Sequence, residues 1–426
     1  MVRKLATFLL AGLLFILTAL PASAASPPAL RGRAILLMDG LTGQILYQQD
    51  GTERNFPAST TKLLTALVAA EHGRLDQRIR VSRQAVSKGP DSASCYVSEG
   101  EEQPLEYLLY GLLLPSGNDC ADAIAEGLTD GQPERFIAWM NETAKRLGAT
   151  NSHFANPHGL HDDNHYTTAL DLALIARGAL ANPVVRRISG TREFIWPGKN
   201  NGTYYNLNSM LWYYPGMTGG KTGFTEQARF TLVVGAERDG RQLIGVTLGY
   251  ESKLQEFEDM EALLNYGFEN FVQVEAVKAG TVQGEVQVAE GRAPKVPVMA
   301  AGSFSVTSPR HGAQKVTVVP KLEPEVKAPV SQGQQVGVLE IREGQRVLGT
   351  VPVVAQQAVP LRPTLLETAG RWILSAVKWG AMLLAGLFLF RTVVKAVRRA
   401  LRRRRGGSLP GGTRGAITHY RTRSHR

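Results

Sequence analysis

The chain has 426 residues, 43% hydrophobic and 20% charged, enough for two or three domains with a real core. Its formal charge is +11, but twelve positive charges fall in residues 391–426, which hold no Asp or Glu, and two more are Arg3 and Lys4. Residues 5–390 therefore carry a net −3, which removes the case for a nucleic-acid binder; the two cysteines lack His or Cys neighbours at metal-ligand spacing, which argues against a thiolate metal centre.

Arg3 and Lys4 precede an apolar run, Leu5 to Leu20, and the small-residue site Pro21-Ala22-Ser23-Ala24. This pattern predicts a signal peptide over 1–24, cut after Ala24, so that the chain leaves the cytoplasm. Ala34–Met38 and Gln44–Tyr47 flank Asp39-Gly40 as a β-hairpin. Pro57 introduces a helix over Ser59–Ala70, with Leu63, Leu64, Leu67 and Val68 at helical spacing. Further helices are expected over 104–127, 133–147 and 168–181, then a hairpin of Phe230–Ala236 and Gln242–Gly249 around Arg238-Asp239-Gly240, then a closing helix over Glu256–Phe268. Strands at both ends with helices between predict an α+β domain over 25–272, one antiparallel sheet assembled from both ends and covered by helices.

Around Phe271 the composition turns to Val, Gly, Pro, Lys and Glu with short alternating runs such as Lys315–Val319 and Gln335–Ile341, predicting an all-β domain over 273–360. Trp372 to Phe390 is a run of 19 residues with one charge, Lys378, near its start. As a helix it reaches roughly 28 Å at about 1.5 Å per residue, close to the hydrocarbon thickness of a bilayer. A transmembrane helix is therefore expected over 371–391, with the basic tail 392–426 held in the cytoplasm. Arg402 to Arg405 read as a flank attracted to anionic lipid, and Trp372 and Trp379 as part of the membrane segment.

Three short strings carry the chemistry: Ser59-Thr60-Thr61-Lys62, Ser116-Gly117-Asn118 and Lys221-Thr222-Gly223. Each is weak alone; in this order they match the motif set of penicillin-interacting serine enzymes. Ser59 and Lys62 sit three residues apart at a helix start, on nearly one face. A serine hydroxyl needs a base, and a lysine depressed by burial and by neighbouring cations can be that base. The bland alternative is that Ser59 caps the helix and Lys62 is a solvated charge. Following Pro115, Ser116-Gly117-Asn118 is expected in a tight loop between helices, where Ser116 can relay a proton to a leaving nitrogen and Asn118 can orient Lys62 and a substrate amide. Lys221 and Thr222 can bind a carboxylate, Gly223 allows close approach of a ligand backbone, and the N–H groups of Phe224 and Ser59 can form an oxyanion hole.

Longer blocks surround the strings: Pro57–Lys62, Leu113–Asp119, Asn156-Pro-His-Gly-Leu160, Asn164-His-Tyr-Thr-Thr168 and Gly219-Gly-Lys-Thr-Gly-Phe-Thr225. On these residues the chain resembles the D-alanyl-D-alanine carboxypeptidases, the low-molecular-mass penicillin-binding serine peptidases. The resemblance implies a β-lactamase/transpeptidase-like catalytic domain, a C-terminal β-domain and a membrane anchor. It further implies attack by Ser59 on the bond between the terminal D-alanines of a peptidoglycan stem peptide, acylation of Ser59 by β-lactam antibiotics, and no metal or cofactor. Related endopeptidase or β-lactamase activity, or a non-catalytic wall-binding role, are the rival readings.

Two positions depart from the family pattern. Relatives carry Ala-Gly where this chain has Ala228-Arg229, and an arginine near the start of the closing helix where it has Glu256. Arg229 is the candidate to restore the lost charge. His153, His158, His161 and His165 form no metal motif, since Pro157 and Gly159 break the segment that would align them. Glu261-Ala-Leu-Leu-Asn265 resembles a β-lactamase deacylation motif but follows Lys221 instead of preceding it, which argues against an efficient β-lactamase. Cys95 and Cys120 share an oxidising compartment, and their pairing stays open.

Overall fold

The structure is a computed structural model that describes residues 26–405 apart from 88, 90, 91, 200, 201 and 311–315. The expected signal peptide, the start of the Lys315–Val319 run and the tail beyond Arg405 lie outside the described residues. Two compact units divide the chain: the first runs to residue 286 and takes in 297–324 and 333–356, and the second holds 287–296, 325–332 and the segment from 357 onward.

The core of the first unit is a five-stranded antiparallel sheet in the order Ile45–Gln49, Ala34–Asp39, Arg241–Tyr250, Arg229–Arg238, Met217–Thr225. Both predicted hairpins form. Asp239 (φ 51°) and Gly240 (φ 74°) both take left-handed backbone, which suits a two-residue hairpin turn to the twist of its strands. Successive residues of a strand point to opposite faces, and here both faces are covered. Leu36 and Met38 join the core under the helices on one side, while Ile35 and Leu37 pack with Met260, Leu263 and Leu264 on the other. That explains why Ala34–Met38 is apolar without interruption.

The helix Lys62–His72 is buried from Lys62 through Ala69, as a helix apolar nearly all round must be. The stretch over 104–127 forms two helices, Leu105–Leu113 and Asn118–Leu128, parted at Pro115–Gly117 as the loop expected at Ser116-Gly117-Asn118 requires. The helices Pro133–Arg146 and Ala169–Ala181 match their expected spans, the second capped by Thr168, whose hydroxyl accepts from the Asp171 N–H. The closing helix starts earlier than expected, at Lys253, because Ser252 caps it.

Strands follow from Phe271 onward. In the first unit Phe271–Val277 pairs with Phe304–Pro309, and Val316–Leu322, Gln335–Glu343 and Arg346–Ala355 form an antiparallel meander. The Thr307 N–H donates to Gln44 Oε1 at 2.8 Å and its hydroxyl donates to Asp39, so buried polar groups tie these strands to the first hairpin. In the second unit Gln287–Ala289 runs parallel to Glu325–Lys327, and the helix Leu365–Arg405 follows. That helix is long and apolar enough to cross a membrane.

The cysteine question left open by the sequence has an answer. Cys95 and Cys120 are joined in a disulfide, with α-carbons 6.7 Å apart. The backbone brings residues 25 positions apart together because the segment around Cys95 lies across the start of the Asn118 helix.

Candidate active site

Ser59 lies in a single 3-10 turn, Ala58–Thr61, that leads directly into the Lys62 helix. Three features hold this turn. The Thr60 and Thr231 hydroxyls both donate to the Pro57 carbonyl, at 2.6 and 3.0 Å. Ala58 sits at φ 49°, a costly conformation for a residue with a side chain. Gly159 passes so close that any Cβ there would collide with the Ala58 carbonyl. The turn has no side-chain cap, so the reading of Ser59 as a mere helix cap does not describe this structure.

Lys62 Nζ reaches Ser59 Oγ at 2.8 Å, Asn118 Oδ1 at 2.6 Å and the His158 carbonyl at 2.6 Å. The side chain is fully buried, which excludes the solvated-charge reading. Burial, then the charge of Lys221, holds the Lys62 pKa well below that of a free lysine, against the opposing pull of Asp122 and Asp119. The three contacts have a chemical consequence. Asn118 Oδ1 and the His158 carbonyl can only accept, so the two N–H groups of a neutral amine serve them and its lone pair faces Ser59 Oγ. That is the arrangement a general base needs.

Ser116 sits at φ 71°, and its buried hydroxyl has no hydrogen-bond partner among the described residues while it lines the pocket beside Ser59. A buried hydroxyl left unsatisfied is costly unless a ligand completes it. Asn118 is fixed at both ends: its Nδ2 donates to Ser92 Oγ and its backbone N–H to the Ala93 carbonyl, each at 2.8 Å. Part of the amide expected to serve substrate is thus engaged by the protein.

The strand Met217–Thr225 brings Lys221, Thr222, Gly223 and Phe224 to the same place. A Cβ on Gly223 would lie 2.5 Å from Thr231 Oγ1 and 2.8 Å from the Ser59 nitrogen, so only glycine lets the strand pass Ser59 this closely. Lys221 is buried, donates to the Thr222 carbonyl at 3.0 Å, and is lowered to about 7 by burial and then by the charge of Lys253. Ser59, Ser116, Thr222 and Gly223 line a pocket of about 180 Å³ walled by Leu207, Phe224 and Phe230. A larger cavity of about 960 Å³ in the second unit is lined by Arg292, Arg362 and Arg371 but holds none of the three strings, so size does not locate the chemistry.

Sequence reasoning missed the charged residue of this pocket, as well as Ala93, Leu207 and Phe230. Lys253, at the start of the closing helix, lines it; Arg229 and Glu256 do not. Arg229 has φ 59° and pairs with Glu251 at 3.4 Å. Glu256 is buried, accepts from the Thr247 hydroxyl at 3.1 Å, and is raised to about 8 by burial. Lys253 stands three residues before Glu256, one helical turn away, and that spacing was the available signal.

The four histidines have separate partners. His165 lies 2.8 Å from Thr61 Oγ1 and is lowered to about 4 by burial; His153 Nδ1 is 2.6 Å from the Asn164 carbonyl; His158 and His161 face Asp122 and Asp163. Glu261–Asn265 lies on the closing helix, where Asn265 Oδ1 accepts from the Tyr214 hydroxyl and Leu263 and Leu264 enter the core.

Residues 21–252 match the family described as D-alanyl-D-alanine carboxypeptidase, and residues 271–361 the one described as penicillin-binding protein 5, C-terminal domain. Similar proteins include D-alanyl-D-alanine carboxypeptidase DacF of Bacillus subtilis, 28% identical over 76% of this chain and 85% of that protein. Another is D-alanyl-D-alanine carboxypeptidase DacD of Salmonella typhimurium, 30% identical over 79% and 88%. Among solved structures, penicillin binding protein 5 from Haemophilus influenzae matches with a TM-score of 0.67 at 27% identity, covering 79% of this chain and 99% of that one.

Proposed function

Because the chain belongs to the D-alanyl-D-alanine carboxypeptidase family, we propose that its serine-peptidase chemistry runs through Ser59, with Lys62 as base. The observation that carries this assignment is the triple contact of Lys62 Nζ, which leaves its lone pair for Ser59 Oγ. The Ser59 proton passes to Lys62 as Oγ attacks the carbonyl between the two terminal D-alanines. The N–H groups of Ser59 and Phe224 stabilise the oxyanion. Ser116 delivers a proton to the leaving nitrogen and is reprotonated with the proton Lys62 took from Ser59, so that D-alanine departs with its free amine and Lys62 is neutral again. Water then adds to the acyl carbon, its hydroxyl staying with the stem peptide and its remaining proton returning to Ser59.

Lys221, Thr222 and Lys253 hold the terminal carboxylate, with Gly223 giving it room. β-Lactams present an amide and a carboxylate of similar disposition and acylate Ser59 by the same route. Residues 25–272 form the catalytic domain and 273–360 the β-domain. The helix over 371–391 spans the membrane once, with the catalytic domain outside and the basic tail 392–426 inside, as the positive-inside rule requires of a chain that starts with a signal peptide.

The test is labelling by fluorescent penicillin together with D-alanine release from a defined pentapeptide. The wild type labels and releases one D-alanine per peptide; Ser59→Ala does neither. Labelling that survives in Ser59→Ala sinks the assignment of the nucleophile.

A further inference from the structure

We propose that the Cys95–Cys120 disulfide is a positioning element of the reaction: it clamps the segment Ser92–Val97 onto the start of the Asn118 helix and so holds Asn118 against Lys62. The inference rests on the roles proposed above for Ser59 and Lys62.

The segment has neither helix nor strand of its own, so its place is set by side contacts. Those contacts converge on the active-site loop. The Asn118 N–H and Nδ2 donate to Ala93 and Ser92 of the segment. The Cys95 N–H and the Ser94 hydroxyl donate to the two oxygens of the Asp119 carboxylate, at 3.0 and 2.5 Å. Ala93 also lines the pocket that contains Ser59 and Ser116. Segment and loop together form one wall of the site.

Hydrogen bonds alone hold such a wall loosely. Each is exchanged against water, and the ordering of a flexible segment opposes them all. A covalent tie removes that freedom. The packing is built around the tie. A Cβ at Gly117 would lie 2.9 Å from both the nitrogen and the sulfur of Cys95, and one at Gly111 would lie 2.5 Å from Cys120 Sγ and 3.0 Å from Cys95 Sγ. Two glycines, one of them inside the Ser116-Gly117-Asn118 string, make room for the bridge.

Both cysteines are fully buried, so the bridge is a permanent brace and not an exchangeable switch. What it protects is the dry setting of Lys62. Burial is the largest cause of that lysine's lowered pKa, and a displaced Asn118 would admit water beside it.

The test uses the full chain in detergent with the double variant Cys95→Ser/Cys120→Ser, and Cys95→Ala/Cys120→Val as a second form that refills the space with carbon. Catalytic constants for D-alanine release, the penicillin acylation rate and the pH profile are measured per folded molecule, at a temperature where circular dichroism shows the native spectrum. We expect kcat and acylation to fall together by about 10- to 100-fold, the size of effect that misplaced catalytic groups produce, with KM changed less than about threefold. The acid limb of the acylation profile moves to higher pH, as Lys62 regains part of its normal basicity. A bridge that serves stability alone lowers the melting temperature and leaves kcat and the acid limb where they were, which overturns the proposal. Failure of both variants to fold at any temperature overturns it too, because the bridge is then a folding requirement. In every arm Ser59→Ala is the control: if it still labels with penicillin, the underlying mechanism has failed and not the brace.

Discussion

Lys62 Nζ lies 2.6 Å from Asn118 Oδ1, and these two residues, 56 positions apart in sequence, meet only because the Asn118 helix packs beside the Lys62 helix. Asn118→Ala removes one of the two acceptors that turn the amine's lone pair toward Ser59. Loss of an aligned base is worth roughly 10²- to 10⁴-fold, and part of it is lost here. We expect penicillin acylation to slow by about 10²-fold in stopped-flow measurements, with the protein still folded. An unchanged acylation rate removes Asn118 from the mechanism.

Lys253 is the exposed cation of the pocket, whereas Arg229 is engaged by Glu251. Lys253→Ala is expected to raise KM for a peptide ending in D-Ala-D-Ala by about 3- to 10-fold with kcat little changed. That range reflects a charge-assisted hydrogen bond partly screened by water. Lys253→Arg retains most of the affinity. Arg229→Ala leaves KM within about twofold of wild type. The reverse pattern would return the carboxylate to Arg229.

Lys221 is lowered to about 7, so it is a cation below that pH and increasingly neutral above it. A neutral amine holds a carboxylate poorly, and kcat/KM is expected to decline on the basic side of pH 7. The charge of Lys253 is the second cause of the shift, so removing it raises the Lys221 pKa. Lys253→Ala should therefore carry its basic limb to higher pH, a displacement that pH profiles of D-alanine release detect. A limb that stays in place denies the coupling.

Glu256 is raised to about 8 from an ordinary value of 4.5, chiefly by burial. Between those two pH values the folded protein keeps a proton that the unfolded chain releases, so stability falls as pH rises through this window. Glu256→Gln keeps a neutral group that can meet the Thr247 hydroxyl and has no proton to lose. We expect wild type to lose stability relative to Glu256→Gln between pH 5 and pH 8, by an amount on the order of a few kcal/mol. Thermal melts of the two proteins at both pH values check this; parallel curves count against a buried, protonated Glu256.

Gly223→Ala places a methyl group 2.5 Å from Thr231 Oγ1 and 2.8 Å from the Ser59 nitrogen, and the strand and the Ser59 turn must part. A shift of about 1 Å at the reacting atoms costs on the order of 10²-fold in rate. The expected result is a folded enzyme with penicillin acylation reduced by about that factor and a melting temperature lowered in step with the roughly 1–3 kcal/mol of stability that overpacking costs. Acylation at the wild-type rate would show that the strand can yield without moving Ser59.

Much of this was readable along the chain because it is local in sequence. The Asp239-Gly240 turn sets the hairpin by its own backbone preferences, and the Ser59–Lys62 spacing needs only a helix start. The break in the 104–127 stretch was readable as well, because Pro115 and Gly117 interrupt a helix locally; that Ser116 sits there at φ 71° was not. The start of the closing helix was misplaced: the apolar pattern begins near Phe257, while Ser252 sets the cap and exposes Lys253 at the pocket.

By itself the sequence determined the reaction class, the identities of Ser59, Lys62, Ser116 and Lys221 as candidates, and an apolar helix near the C-terminus, since residue type and short-range spacing suffice for each. Only the tertiary structure decided that the His158 carbonyl helps orient Lys62, that Lys253 and not Arg229 lines the pocket, and that Cys95 meets Cys120. Those facts depend on contacts between residues tens of positions apart, and such contacts come from packing on both faces of one sheet, which no local pattern encodes.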